Sequence, residues 1–401
     1  MEGNSTPLRV LIVDDTITYR KILGDILSSF SGVEVIGKAP NGSLALKKME
    51  QTPVDLVFLD VFMPEMDGLE TLQVIQDKYP KVNVIMISAE AEEDVEIVMK
   101  ALKIGALDFI AKPQGPNLSE NIQLLTAELK KVIYLIKECP DSIHLRKQTR
   151  FPFLLTRPPF PFPSPSSAPT TLTSAPFPFP PSVKKLPSSQ PISSIPSSAL
   201  KVARPGTFGL VVIGVSTGGP NALNSVIPLL PSNLGCPVLL VQHMPKKFTA
   251  TLAEHLQAQS SLKVREATDN EAITQNTVLI APGGYHMVVK NNPSSPGSFV
   301  VRINEDPPVH SCRPSVDALM HSIAQNWERG GILALIMTGM GEDGAAGVAA
   351  MKMKGCYCLA QDEKTSVVYG MPKAVAERGL ADEILPLDQI AGRITMLCQK
   401  K

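Results

Sequence analysis

The chain has 401 residues, with 38 basic and 38 acidic side chains and a formal net charge of zero; at about 150 residues per domain, that length predicts two to three domains. Six cysteines are scattered with no CxxC pair, and Cys356 and Cys358 find no second pair to complete a zinc set, so reduced, buried thiols are expected. No apolar run reaches the roughly 20 residues that span a bilayer, and Met1-Glu2-Gly3-Asn4 does not open like a signal peptide, so a soluble, cytoplasmic protein without direct membrane insertion is expected.

The zero net charge hides a partition. Residues 1–125 carry 11 Lys and Arg against 19 Asp and Glu, residues 126–205 carry 11 against 3, and residues 206–401 carry 16 against 16. An acidic module is therefore followed by a basic connector and a neutral module. The connector's charges are spaced out and accompany no folded reading motif, which argues against nucleic acid as a partner.

In the first module, residues 8–13 read as a strand running into Asp14-Asp15, with a helix over 17–30, a short strand at 33–36 and a helix after Asn41. A strand at 54–59 ends on Asp60, a helix covers 68–77, and a strand at 82–87 closes on Ser88. A further helix reaches Ile104, and a last strand at 107–110 precedes Lys112-Pro113. Five βα repeats of this kind predict a doubly wound parallel sheet, in which ligands bind beyond the carboxyl ends of the strands. Asp14, Asp15, Asp60, Ser88 and Lys112 all fall at those ends. Three clustered carboxylates repel one another unless a hard cation sits among them, and Mg²⁺ favours such an oxygen shell. One carboxylate then becomes a nucleophile toward a phosphoryl group. The alternative, acids that are merely soluble loop residues, does not account for five residues in register.

These residues resemble the receiver domain of two-component response regulators. The resemblance implies Asp60 as the phosphorylated residue, Asp14 and Asp15 as the acid pair for Mg²⁺, and Phe62 as donor of a backbone carbonyl. It also implies Lys112 and Ser88 as phosphate contacts and Phe109 as an aromatic switch.

A helix over 118–136 closes the first module, and residues 151–205 then hold 15 prolines and no acid. Proline at that density removes backbone donors and favours extended chain, so a helix end followed by a flexible, basic, Pro-rich linker that sets reach without orienting the two modules is expected over 126–205. Pro159-Phe160-Pro161-Phe162-Pro163 is echoed by Pro176-Phe177-Pro178-Phe179-Pro180, either a docking segment for a partner groove or a low-complexity spacer. The basic connector against the acidic first module suggests a charge-driven association, with compositional drift as the alternative.

The second module, 206–401, opens on residues 208–215, an apolar strand turning sharply at Gly214-Val215-Ser216-Thr217-Gly218-Gly219-Pro220. Three glycines and a proline at a first helical position hold Ser216 out beside a helix N-terminus, which suits either attack on a carbonyl or phosphate binding. Residues 237–241 form a strand that delivers Gln242-His243-Met244-Pro245. Strands at 277–281 and 332–337, a hairpin of 287–290 with 299–303, and helices over 247–258 and 315–327 follow. The strand at 332–337 ends in Thr338-Gly339-Met340-Gly341-Glu342-Asp343-Gly344. A GxGxxG lies within it, with Asp362 near the distance of a ribose acid, so a dinucleotide-binding oxidoreductase is a rival. Glu342 and Asp343 would put two negative charges in a loop meant for a pyrophosphate.

Ser216, His243 and Asp343 instead suit a nucleophile, a base and an acid that fixes the base's tautomer. Their order along the chain differs from that of α/β-hydrolases. Of the other histidines, His144, His255 and His321 read as solvated or structural, and His286 and His310 as loop residues that line the cleft. The three motifs resemble the chemotaxis protein-glutamate methylesterase family (CheB type). That resemblance implies a Ser216, His243, Asp343 triad without a cofactor, with Met340 lending an oxyanion amide and Thr217 supporting the histidine. It also implies methylated chemoreceptors as substrate, hydrolysis of γ-glutamyl methyl esters and deamidation of receptor glutamines. A chemotaxis histidine kinase as phosphodonor, control of the cleft by the receiver, and a monomeric enzyme are the remaining expectations.

Overall fold

The computed structural model describes residues 6–89, 92–138 and 208–399, with backbone only at residues 92, 93 and 138. The Phe-Pro repeats and His144 lie outside the described residues. Strands β1 (Leu8–Val13), β2 (Val33–Ala39), β3 (Leu56–Asp60), β4 (Asn83–Ser88) and β5 (Asp108–Ala111) alternate with helices α1 (Ile17–Ser28), α2 (Gly42–Gln51), α3 (Gly68–Lys78), α4 (Glu92–Ile104) and α5 (Leu118–Glu138). The sheet runs β2-β1-β3-β4-β5 and every neighbouring pair is parallel. Strand β3 is buried at every position, as its unbroken apolar run requires of a strand covered on both faces. Helix α3 starts sharply because Asp67 and Glu70 form a capping box, satisfying two free amides. In register, Val13 lies beside Leu59, Asp60 beside Ile87 and Ser88 beside Ala111, so residues 14, 60, 88 and 112 emerge at one edge.

The second module contains β6 (Phe208–Val215), α6 (Gly219–Val226), β7 (Val238–Gln242), α7 (Phe248–Gln257), β8 (Lys263–Glu266), β9 (Glu271–Ala272), β10 (Thr277–Ile280), β11 (His286–Asn291) and β12 (Phe299–Asn304). It continues with α8 (Val316–Asn326), β13 (Gly331–Ile336), α9 (Ala345–Lys352), β14 (Tyr357–Gln361), α10 (Met371–Glu377), β15 (Glu383–Leu385) and α11 (Leu387–Cys398). A parallel sheet of order β15-β14-β13-β6-β7-β10-β8 forms its centre, and β11-β12-β9 makes a separate antiparallel sheet. Alternate residues of β6 face opposite sides: Val211, Ile213 and Val215 pack with Leu223, Val226 and Phe248, while Leu210 and Val212 pack with Leu319, Met320 and Val348. That two-residue period places helices on both faces, and each fully buried aliphatic side chain contributes about 1.5–3 kcal/mol.

Strands β8 and β15 are absent from the sequence reading. Both are edge strands, and in β8 only Val264 is buried while Lys263 and Arg265 reach solvent. Charged, short edge strands lack the apolar run that marks a central strand. The hairpin of β11 and β12 forms as the sequence suggests, and β9 adds a third strand to it.

The two modules touch. Helix α4 packs on α6 and α7, Asn221 Nδ2 donates to the Leu102 carbonyl at 2.8 Å, and the Phe109 and Phe248 rings stack with centroids 4.3 Å apart.

Candidate active site and phosphorylation site

The first site is assembled at the carboxyl ends of β13, β6 and β7, which are neighbours in the sheet. Ser216 follows β6 directly. Its amide donates to the Thr338 carbonyl at 2.9 Å, and its carbonyl accepts from Gly219 N at 2.7 Å and Gln242 Nε2 at 3.0 Å. The turn beyond it depends on Gly218, which has φ 76° and where a Cβ would lie 2.0 Å from Val367 Cγ2, so both conformation and space demand glycine. Ser216 Oγ makes no hydrogen bond among the described residues.

His243 follows β7, its amide held by the Val215 carbonyl at 3.2 Å. Its Nε2 lies 2.8 Å from Asp343 Oδ2. With Nε2 committed to the acid, Nδ1 is the ring nitrogen left to move a proton. Burial alone would lower the imidazole pKa, but the Asp343 bond and the nearby Cys312 thiol outweigh it and hold the ring at about 9. Asp343 is held below the usual carboxylate range. Burial pushes it up, and the His243 bond, the imidazolium charge and the amides of Asp317 and Val316 more than reverse that. Ser315 Oγ donates to Asp343 Oδ1 at 2.9 Å, Val316 N to Oδ2 at 2.8 Å and Asp317 N to Oδ1 at 2.9 Å.

Asp343 thus faces the N-terminus of α8 and His243, and Asp362 spends its carboxylate on Thr365; neither acid is arranged to meet a dinucleotide. Thr217 gives its carbonyl to Thr338 Oγ1 at 2.9 Å and its side chain lies beside Asp108 of the first module; no bond from its side chain to His243 occurs among the described residues. Met340, Val367 and Val368 join an apolar cluster with Ile110 and Leu125. The first module therefore abuts the loops that follow β13 and β14. His286 is buried at the start of β11, its Nδ1 accepting Ser315 N at 3.3 Å, and His310 meets Asp317 Oδ2 at 3.1 Å. His255 and His321 lie in α7 and α8.

The second site lies at the ends of β1, β3, β4 and β5. Lys112 Nζ is 2.9 Å from Asp14 Oδ2 and 2.8 Å from Asp60 Oδ1. Oxygens of Asp14, Asp15 and Asp60 all lie within 4.8 Å of one another. Burial pushes Asp60 up to about 6; Lys112 opposes this and the Asp14 charge adds to it. Ser88 Oγ is buried with no partner among the described residues, at the strand end. Phe62 is exposed beside Asp60, and Phe109 is engaged with Phe248.

Gln242, Ser315, Asp317, Cys312 and Asp108 carry no role in the sequence reading. Ser315 has a legible signal, a serine just before a helical pattern, yet that signal names a cap and not the distant acid it would hold.

The CheB methylesterase family matches residues 211–394, and the response regulator receiver domain family matches residues 10–123. A protein-glutamate methylesterase/protein-glutamine glutaminase of Desulfotalea psychrophila is 41% identical over 387 residues, covering 96% of this chain and 97% of its own. One from Trichodesmium erythraeum is 37% identical over 389 residues, covering 96% and 97%. Among solved structures, the Thermotoga maritima CheB methylesterase catalytic domain is 40% identical, covering 47% of this chain and 97% of that one, with a TM-score of 0.45.

Proposed function

We propose, from the premise that this chain belongs to the family of protein-glutamate methylesterase/protein-glutamine glutaminases with a receiver domain, that Ser216, His243 and Asp343 hydrolyse γ-glutamyl methyl esters on chemoreceptors. The observation that carries this is the 2.8 Å contact of His243 Nε2 with Asp343, on the strands that flank Ser216. Ser216 Oγ attacks the ester carbonyl as its proton passes to His243 Nδ1. Asp343 stabilises the imidazolium, and the Met340 amide receives the oxyanion. The C–O bond to methoxide breaks, His243 returns the proton, and methanol leaves an acyl-Ser216. Water then attacks with His243 again as base, restoring Ser216 and releasing the glutamate carboxylate. With a glutamine substrate the leaving group is ammonia.

Asp60 is the phosphorylated residue in this reading, with a chemotaxis histidine kinase as phosphodonor. Three clustered carboxylates and the buried Ser88 hydroxyl, without a partner among the described residues, fit Mg²⁺ and a phosphoryl group. Asp14, Asp15 and Asp60 with the Phe62 carbonyl would hold the ion, which offsets the charge of the incoming phosphoryl group. Lys112 and Ser88 bond the phosphoryl oxygens. Because the receiver abuts Thr217, Met340 and Val367, its docked position restricts receptor access to Ser216, and phosphorylation of Asp60 relieves the restriction. The domain bounds that serve this reading are 1–125, 126–205 and 206–401.

Methanol release from methylated receptor, with and without a small phosphodonor, tests the reading. Ser216→Ala loses at least about 10³-fold in kcat, and wild-type release rises with the phosphodonor. Full release by Ser216→Ala overturns the assignment.

A further inference from the structure

Two acids at the end of the sheet are held by each other's helices. Asp343, which leads into α9, accepts from Ser315 Oγ and from the first amides of α8. Asp317, in the first turn of α8, returns the arrangement: its Oδ1 accepts from Gly344 N at 2.9 Å and Gly347 N at 2.6 Å, at the start of α9. Each helix N-terminus, with its free amides and positive dipole end, is thus occupied by a carboxylate from the other. Ser315 is fully buried, caps α8 through Ala318 N at 3.3 Å, and has its own amide received by His286 Nδ1.

Resting on the reading of Asp343 as the acid that orients His243, we infer that Ser315 and Asp317 are positioning residues for it, and that the reciprocal clasp between α8 and α9 sets both the direction and the charge of that carboxylate. Three donors and His243 account for both oxygens of Asp343, so the carboxylate cannot rotate without losing a charge-assisted bond. The titratable groups that face it or its immediate partners are His243, Asp317, His310 and Cys312. Removing the Ser315 hydroxyl leaves more negative charge to be met by the imidazolium. His243 then holds its proton to higher pH, and fewer molecules carry a free base.

The full-length enzyme is assayed for methanol release from methylated receptor across pH, with Ser216→Ala alongside. Ser315→Ala is expected to lower kcat about tenfold, the scale of one hydrogen bond to a charged group, with KM within about twofold. The acid limb of its kcat profile moves to higher pH, and Ser315→Thr restores both kcat and limb. Asp317→Asn, which takes away a negative charge beside Asp343 as it loosens α9, lowers kcat with the limb moved to lower pH. A kcat loss without a limb shift, or without rescue by threonine, marks a merely structural role and overturns the inference, as does an unchanged Ser315→Ala. Should Ser315→Ala fail to fold, Ser315→Cys, which keeps size but donates weakly, must show the same limb shift or the inference falls. An inactive Ser216→Ala beside an unmoved Ser315→Ala overturns this inference alone; an active Ser216→Ala overturns the site reading on which it rests.

Discussion

The two halves of the molecule build their sites on the same plan, side chains gathered at the carboxyl ends of parallel strands, and reach opposite electrostatics. In the first module Asp60 stands with Asp14 and Asp15 over one lysine, and its carboxyl is pushed up to about 6 by burial and like charge. In the second, Asp343 is buried as deeply yet held below its usual range, because a helix N-terminus, a serine and an imidazole all donate to it. Burial raises a carboxyl in both places; the donors around it decide the sign. An acid short of donors is primed to bind a cation or attack a phosphoryl group, and an acid saturated with them serves as a fixed anchor.

The sharpest break of this contrast is Asp343→Asn. An amide keeps the shape but cannot balance the imidazolium, and a fall of about 10³–10⁴-fold in kcat is expected in methanol release. A fall under tenfold would mean that the charge of the anchor does little. Next in size, Asp60→Asn or removal of divalent cation by chelation is expected to abolish stimulation by phosphodonor while leaving basal release within about twofold, because only the first site depends on an incoming group. Phe109→Ala removes the stack on Phe248 and spares the catalytic core; the stack is worth about 0.5–1.5 kcal/mol beyond its area, and basal release should rise about two- to tenfold as docking weakens; a decrease would show that docking does not restrict the site.

The smallest effect is a proton linkage at the contact between the halves. The Asp108 carboxyl, beside Thr217, is pushed up to about 6 by burial, against the Phe109 amide and the Thr217 hydroxyl. The docked state therefore binds this proton more tightly than the undocked one. The resulting stabilisation is full below the ordinary value of 3.8 and fades as pH rises to about 6. Hydrogen exchange of α6 amides, corrected for intrinsic rates, should rise across that window in the wild type and stay flat in Asp108→Asn.

Much of both sites is legible in the sequence for one reason: buried parallel strands are continuous apolar runs, so the first polar residue after each run is placed at the sheet edge. Asp14, Asp60, Ser88 and Ser216 are all read this way, and His243 lies one place beyond the first polar residue, Gln242. What escapes is what depends on a second element. Ser315 announces a helix cap, but that its hydroxyl meets Asp343, 28 residues on, follows only from α8 and α9 lying side by side. Gln242 sits in a noticed motif, yet its bridge from Ser216 O to His243 O is a product of strand pairing. The Asp108 and Thr217 contact joins two modules whose sequences say nothing of how they meet. The edge strands β8 and β15 escape because their charges mask the pattern.

One property of β5 ties the two halves together. It is the last strand of its sheet, laddered to β4 alone, and within five consecutive residues it carries Asp108 and Phe109 at one end and leads to Lys112 at the other. At about 3.3 Å per residue Lys112, held beside Asp14 and Asp60, and the Phe109 ring are roughly 10 Å apart along a single extended stretch. A pull on Lys112 has no second ladder to break and no intervening helix to turn. The Lys112 site and the contact with the second module are then two ends of one short edge strand.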